Sequence, residues 1–446
     1  MSMIAAFYSG KSILITGATG FMGKVLMEKL FRTSPDLKVI YILVRPKAGQ
    51  TTQQRVFQIL NSKDLCAQNA SSPYNTLQAS RYCVATTHAF LFGPLVQPQK
   101  SDGHASYWSR HAVQLNVTAT QQLLLMASQM PKLEAFIHIS TAFSNCNLTH
   151  IDEVIYPCPV EPKKIIDSMD NVSRSLEPGT YGFKTSQAGK GFLRSLRATP
   201  MAVADLIPVD TVVNLTLAVG WYTAVHRPKS TLIYHCTSGN LNPCNWRKMG
   251  FQVLATFEKV PFERAFRRPN ADFTTNTITS QYWNAVSHRA PAIIYDFYLR
   301  LTGRKPRMTK VMNRLLKTVS MLEYFVNRSW EWSTYNTEML MSELSPEDQR
   351  VFNFDVRQLN WLEYIENYVL GVKKYLLKED MAGIPEAKQH LKRLRNIHYL
   401  FNTALLLIAW RLLIARSQMA RNVWFFIVSF CYKFLSYFRA SSTLKV

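Results

Sequence analysis

Acidic residues are scarce in this chain. It carries 29 Asp and Glu against 52 Lys and Arg in 446 residues, a formal charge of +23. Such a balance calls for nucleic acid, an acidic ligand or anionic lipid as partner. No nucleic-acid motif accompanies it, so no nucleic-acid partner is expected. Cysteine is also sparse. The seven stand at 66, 83, 146, 158, 236, 244 and 431 without a C-x-x-C pair, and one would be left over from any disulfide set. That spacing argues against structural zinc or a disulfide framework and for a reducing compartment. Residues 1–11 lack the charged and apolar regions of a secretory signal, and the last four residues are not an S-K-L type address. No internal repeat is present.

What is present is concentrated near the start. The run Ile13-Leu14-Ile15-Thr16-Gly17-Ala18-Thr19-Gly20-Phe21-Met22-Gly23 reads as an apolar strand, a glycine turn and the opening of a helix over 24–31. Gly17 permits a tight turn, Gly20 permits a pyrophosphate to approach the backbone, and Gly23 permits close packing of helix on sheet. The free N–H groups and positive end of the helix then face the phosphates. Strand and helix together supply the context that a glycine motif needs. Thr16, Gly17, Thr19, Gly20, Phe21, Met22 and Gly23 are therefore the candidate cofactor-binding residues. A second strand over 39–44 ends at Arg45, with Lys47 beyond it and no acid nearby. A guanidinium there suits a 2′-phosphate, so Arg45 joins the set and NADPH is the expected cofactor.

The pattern implies an α/β protein with a Rossmann-like parallel sheet, then a helical C-terminal domain, then a membrane-attached tail. Residues 53–62 read as a helix. Residues 64–110 are rich in Ser, Gln, Thr, Pro and His, with short strands expected at 82–85 and 89–92. A patterned helix over 113–130 and a buried strand over 135–140 follow. Residues 152–166 read as a Pro-rich loop over the site, 167–190 as turns, 211–224 as a helix and 232–236 as a last strand. From Cys244 onward the chain reads as helical, with spacing over 251–257, 290–301, 310–324 and 345–375. Its aromatics suit a core better than an acyl groove. Apolar stretches over 399–415 and 422–438 are each about 17 residues, or roughly 25 Å of helix, near the lower limit for spanning a bilayer. Their flanks are basic, and Trp410, Trp424, Tyr432 and Tyr437 lie near their ends, which favours membrane over a buried core. The expected division is 1–245 for the nucleotide-binding domain, 246–385 for the helical domain and 386–446 for membrane attachment.

Reduction of a carbonyl in such a fold calls for a tyrosine with a lysine four residues on, a serine or threonine, and an asparagine. Thr141, beside Ser140 at the end of the strand 135–140, is placed for the hydroxyl. Asn116 lies in the preceding helix, where the asparagine belongs. A simple helix or strand-end hydrogen bond explains either residue equally well. No tyrosine has a lysine four residues later. The nearest approach is Tyr181 with Lys184, three residues apart in a Gly/Ser/Pro-rich segment.

These residues resemble the alcohol-forming fatty acyl-CoA reductases, a group of extended short-chain dehydrogenases/reductases. The resemblance rests on 16–23, on Leu43-Val44-Arg45-Pro46, on His138-Ile139-Ser140-Thr141-Ala142-Phe143-Ser144-Asn145, on Ile207-Pro208-Val209-Asp210 and on Ser238-Gly239-Asn240. It covers 1–62, 111–168 and 189–446. It implies reduction of a long-chain acyl-CoA through an aldehyde to a fatty alcohol with two NADPH. It also implies a peroxisomal membrane location with the bulk of the chain in the cytosol, and it leaves room for a homo- or hetero-oligomer. Against the family pattern, 64–110 is divergent and 168–190 is shortened, without Tyr-x-x-x-Lys. The alternative is a non-catalytic, membrane-attached relative that binds nucleotide or acyl-CoA, or that pairs with an intact reductase.

Overall fold

In the computed structural model the described residues are 2–44, 49–60, 82–86, 113–158, 160–167, 188–193, 195–263, 265–270 and 272–442. The chain opens with a short helix, α1 (Met3–Tyr8), ahead of the first strand. Ser2 caps it, its hydroxyl accepting from the Ala5 amide at 3.0 Å. Six residues cannot hold a helix alone. Asp348 holds it from far along the chain. That carboxylate accepts from the Ser2 hydroxyl at 2.5 Å and from the Met3 and Ile4 amides at 3.1 Å each. The Ser345 hydroxyl donates to it at 2.5 Å. Asp348 is fully buried, as is Ile4.

A βαβ unit follows: β1 (Ser12–Ile15), α2 (Phe21–Thr33), β2 (Val39–Val44), α3 (Thr52–Leu60) and β3 (Tyr82–Thr86). The strands are parallel in the order β1-β2-β3, with Ile15 opposite Ile42 and Val44 opposite Thr86. The expected strand near 82–85 is thus β3, while the one at 89–92 lies outside the described residues. Alternation decides the buried face. Ile40, Ile42 and Val44 are buried, whereas the paired Leu14 and Tyr41 are 46% and 40% exposed. A parallel sheet is ordinarily covered on both faces; among the described residues this one is covered on one.

Next come a π-helical turn (Gln114–Thr118), α4 (Ala119–Ser128), a 3-10 turn (Ala142–Asn145), β4 (His150–Ile151), α5 (Pro162–Asp167), β5 (Ser195–Arg197) and α6 (Val209–His226). The expected strand over 135–140 is not formed. The segment has no regular secondary structure and packs Ile137 on the core, but Phe136 and Ile139 stay exposed. A strand needs a neighbour, and among the described residues β1 pairs only with β2. The expected strand over 232–236 is likewise not formed. Side chains replace its ladder: the His235 amide donates to Glu153, the Asn336 amide group donates to the Ile233 carbonyl, and the Thr337 hydroxyl donates to the His235 carbonyl. The last part of the loop expected over 152–166 is instead helical, in α5.

The C-terminal half is helical, as expected. It comprises α7 (Trp246–Lys259), β6 (Asp272–Thr274), α8 (Thr277–Trp283), a π-helical turn (Asn284–Arg289), α9 (Ala290–Leu301), α10 (Met308–Val326), β7 (Glu331–Trp332), α11 (Tyr335–Glu343), α12 (Pro346–Val351) and α13 (Trp361–Gly371). Two short parallel ladders, β4 with β7 and β5 with β6, tie this half to the first. The main core also crosses between halves, joining Ile15, Met27, Ile42 and Val213 to Leu340 and Phe352. Lys29 of α2 donates to the Val351 carbonyl and lies 4.8 Å from the Phe352 ring centroid. Its burial, with Arg32 close by, lowers its pKa to about 8.

The chain closes with α14 (Ile384–Arg416) and α15 (Gln418–Ser442), separated by Ser417. Trp410 and Trp424 meet edge to face at 5.8 Å across that break. The span Met381–Arg416 has a mean hydropathy of 1.6 in its most apolar window, none of it buried. Among the described residues it is the one helix long and apolar enough to cross a membrane.

Candidate active site

The turn between β1 and α2 has the geometry that its glycines suggest. Gly17 has φ +68°, a left-handed conformation that a side chain would strain. A Cβ on Gly20 would lie 3.2 Å from the Gly17 carbonyl oxygen; on Gly23 it would lie 2.5 Å from that oxygen and 2.7 Å from the Ala18 Cα. The Gly20 amide donates to the Gly17 carbonyl at 2.9 Å and closes the turn. Gly20 is the N-cap of α2 and offers no side chain to cap it, and the first turn holds no acidic residue. Ala18 is fully buried, while Thr16 and Phe21 face outward, with Thr19 and Met22 half-buried between them. A bare helix start beside a glycine cradle fits the pyrophosphate of a dinucleotide. Arg45 and Lys47, the residues read as meeting the ribose, lie outside the described residues.

Asn116 sits within the π-helical turn ahead of α4, and its carbonyl accepts from the Thr120 hydroxyl at 3.0 Å. Such bulges recur at functional sites. Thr141 caps the 3-10 turn, its hydroxyl accepting from the Phe143 amide at 3.3 Å. Ser140 and Ser144 share a hydrogen bond at 3.2 Å. Both Thr141 and Asn116 are exposed, and among the described residues no hydrogen bond joins them. Tyr181 and Lys184 lie outside the described residues.

Two acids that the sequence reading passed over organise the neighbouring loops. Glu153 accepts from the amides of His235 and Asn336 and from the Thr337 hydroxyl. Asp205 accepts from the amides of Ser238 and Gly239 at 3.2 and 2.6 Å. The available signal was the Ser238-Gly239-Asn240 turn itself, whose amides need an acceptor. Burial pushes the Asp205 carboxyl up to about 6, although those amides pull it down. The sign of the pH effect follows. The native state holds this proton more tightly than the unfolded chain, so the contribution is full below the ordinary carboxylate range and fades as pH rises to about 6. Asp205→Asn is expected to keep one carbonyl oxygen for the amides and to recover roughly 2 kcal/mol above that pH. Urea unfolding of both proteins at pH 5 and pH 8 checks this. A variant less stable than the parent at pH 8 would contradict it.

The βαβ unit and its glycine turn define a nucleotide-binding α/β protein of the Rossmann type. Comparison with known proteins narrows the class. An NAD-binding family profile described as male sterility protein matches 15–86 and 104–184, and a second profile of the same description matches 287–379. The first skips 87–103, inside the stretch read above as divergent. The chain is 72% identical to fatty acyl-CoA reductase 2 of Bos taurus over 519 residues and 69% identical to that of Homo sapiens over 520, covering 100% of both chains each time. Fatty acyl-CoA reductase 1 of Homo sapiens is 45% identical over 519 residues at the same coverage. The chain belongs to the fatty acyl-CoA reductase family. Since 446 residues are aligned over 519, at least 73 aligned positions have no residue here. Among solved structures, the terminal R domain of the myxalamid PKS-NRPS pathway aligns with TM-score 0.44 and 16% identity over 83% of this chain and 93% of that one.

Proposed function

We propose that this chain binds NADPH across the β1–α2 turn and acts on long-chain acyl-CoA, as a fatty acyl-CoA reductase that yields fatty alcohol. The single observation that carries this is the Gly17–Gly20–Gly23 cradle at a helix start without a side-chain cap, in a chain 72% identical to a named reductase of that class. NADPH when bound would supply hydride: the first equivalent, added to the thioester carbonyl, breaks the C–S bond and releases coenzyme A as its thiol after protonation, and the second, with a proton from solvent, takes the aldehyde to the alcohol. The chain's own residues bind and orient. The α2 amides meet the pyrophosphate, Arg45 is assigned to the 2′-phosphate, Thr141 to the substrate carbonyl oxygen and Asn116 to an ordered water. Residues 1–245 form the nucleotide domain, 246–385 the helical acyl-CoA reductase domain, and 386–446 attach the protein to the peroxisomal membrane with the bulk of the chain in the cytosol.

A second reading has its own observation. No tyrosine is followed four residues later by lysine, and at least 73 aligned positions are missing. Loss of a general acid costs about 10²–10⁴ in rate. Tyr181 with Lys184 would have to serve instead. Without them the chain is a non-catalytic relative that binds nucleotide or acyl-CoA, or that pairs with an intact reductase. One experiment separates the readings: NADPH titration of the purified full chain, then turnover of palmitoyl- or stearoyl-CoA to alcohol against a Gly17→Asp control. Turnover above the control supports the reductase. Binding without turnover supports the second reading, and absence of NADPH binding overturns the reductase reading and the nucleotide-binding form of the second.

A further inference from the structure

Residues 277–301 form a continuous helical stretch, α8, the π-turn and α9, and one side of it is covered by nothing among the described residues. Ile278, Tyr282, Val286, Ile294, Phe297 and Leu301 are all exposed, Ile278 by 78% and Leu301 by 72%. Their spacing places them along one side. An apolar row of this length marks an interaction surface. The stretch contains one acid, Asp296, and that one is buried. It accepts from the amides of Arg307, Met308 and Thr309 at 3.0, 2.8 and 2.8 Å and so is spent on capping α10. The charge left at the surface is positive: Arg289, Arg300, Arg304, Lys305 and Arg307 are exposed along and just beyond the stretch.

Its place in the fold matters as much. Three consecutive residues tie it to the base of α14. The His390 ring donates to the Ala265 carbonyl at 2.8 Å. The Phe266 ring lies 5.9 Å from that of Tyr295, edge to face. The Arg267 guanidinium donates to the Ser287 carbonyl at 3.1 Å. The apolar row is therefore anchored beside the point where the unburied apolar helix α14 leaves the body, next to Lys388, Lys392, Arg393 and Arg395.

We propose that 277–301 is an interfacial helix lying in the headgroup layer of an anionic bilayer, with its apolar row inserted and its arginine and lysine rim on the lipid phosphates. The proposal rests on the membrane attachment proposed for 386–446 and adds a second, separate contact. A helix with an apolar side, a basic rim and no exposed acid has the composition of such elements. Its anchoring to α14 brings it to the same surface.

The test uses the full chain reconstituted in phosphatidylcholine vesicles containing phosphatidylserine and a photoactivatable phospholipid. After illumination, peptides from 277–301 are expected to carry lipid label together with peptides from α14 and α15. The exposed pair Ile294→Glu with Phe297→Glu is expected to lose most of the label from 277–301 while α14 and α15 keep theirs, with an unchanged circular dichroism spectrum. Vesicles of phosphatidylcholine alone are expected to label 277–301 less than the anionic ones. Label on α14 and α15 but none on 277–301 overturns the proposal and leaves membrane attachment standing. Label on neither overturns both. An unlabelled 277–301 in a dimer that Phe297→Glu dissolves assigns the face to a second copy of the chain and overturns the lipid proposal as well.

Discussion

Gly23→Val is expected to abolish nucleotide binding and to destabilise the fold by about 2–4 kcal/mol. The added Cβ would sit 2.5 Å from the Gly17 carbonyl oxygen and 2.7 Å from the Ala18 Cα. Those neighbours are backbone, so no rotamer change relieves the clash. Either α2 moves off β1, which uncovers Met27 and Leu30 in the core, or the turn opens and its amides lose their common direction. Both routes destroy the cradle. Gly10→Ala makes the control. Gly10 also has a left-handed backbone, at φ +69°, but nothing lies within 4 Å of the added carbon. Its cost is confined to conformational strain of about 1 kcal/mol, with binding retained. NADPH fluorescence titration and thermal unfolding of the three proteins decide the matter. Equal NADPH affinity in Gly23→Val and the parent would remove the β1–α2 turn as the nucleotide site.

Asp348→Ala is expected to cost roughly 3–5 kcal/mol, because a buried carboxylate disappears and its donors lose their acceptor. Those donors are the Ser2 and Ser345 hydroxyls and the Met3 and Ile4 amides. The α1 helix should then loosen and become the first site of proteolysis, held only by the packing of Ile4 and Tyr8 on the core and by the Tyr8 hydroxyl, which donates to the Leu217 carbonyl at 2.8 Å. Burial alone would raise the pKa of this carboxyl, but the two hydroxyls and the two amides together bring it below the ordinary carboxylate range. The native state is then the weaker proton binder. Stability from Asp348 is complete above the ordinary carboxylate range and is lost as acid carries the pH down through the lowered native value. Asp348→Asn should flatten this acid limb of the unfolding midpoint plotted against pH. A limb as steep as the parent's would show that other carboxylates govern it.

Much of this architecture could be read from short patterns. The strand, glycine turn and helix at 13–31 carry their own instructions, because three glycines at that spacing meet three separate steric demands. In the second half α9 and α10 follow from apolar spacing, whereas α8 and α11 lie outside the ranges that spacing marks, and 345–375 divides into α12 and α13. The strands expected at 135–140 and 232–236 were misread for one reason. Apolar alternation reports a preference for extended backbone but not the presence of a partner, and partners are set elsewhere in the chain. Over 232–236 the partners proved to be side chains, Glu153, Asn336 and Thr337, far apart in sequence and invisible to periodicity. Asp348 was missed likewise, since its acceptor role depends on residues 344 to 346 positions away. Within the candidate site, the cradle was legible because backbone geometry builds it. Thr141 and Asn116 were legible only as residue types at plausible places, and their exposure shows how little a motif says about which side chains meet.

The clasp on the first helix also bears on how the protein is made. Ser2 leaves the ribosome early, whereas its buried acceptor is 346 residues behind it. At 5–20 residues per second that is a wait of roughly 17–70 s. Throughout it, the Ser2 hydroxyl and the Met3 and Ile4 amides lack this acceptor on a nascent segment available to chaperones. Completion of the N-terminal lobe thus waits for residue 348 to be made, and a translation pause upstream of codon 348 would lengthen the vulnerable period without altering the finished molecule.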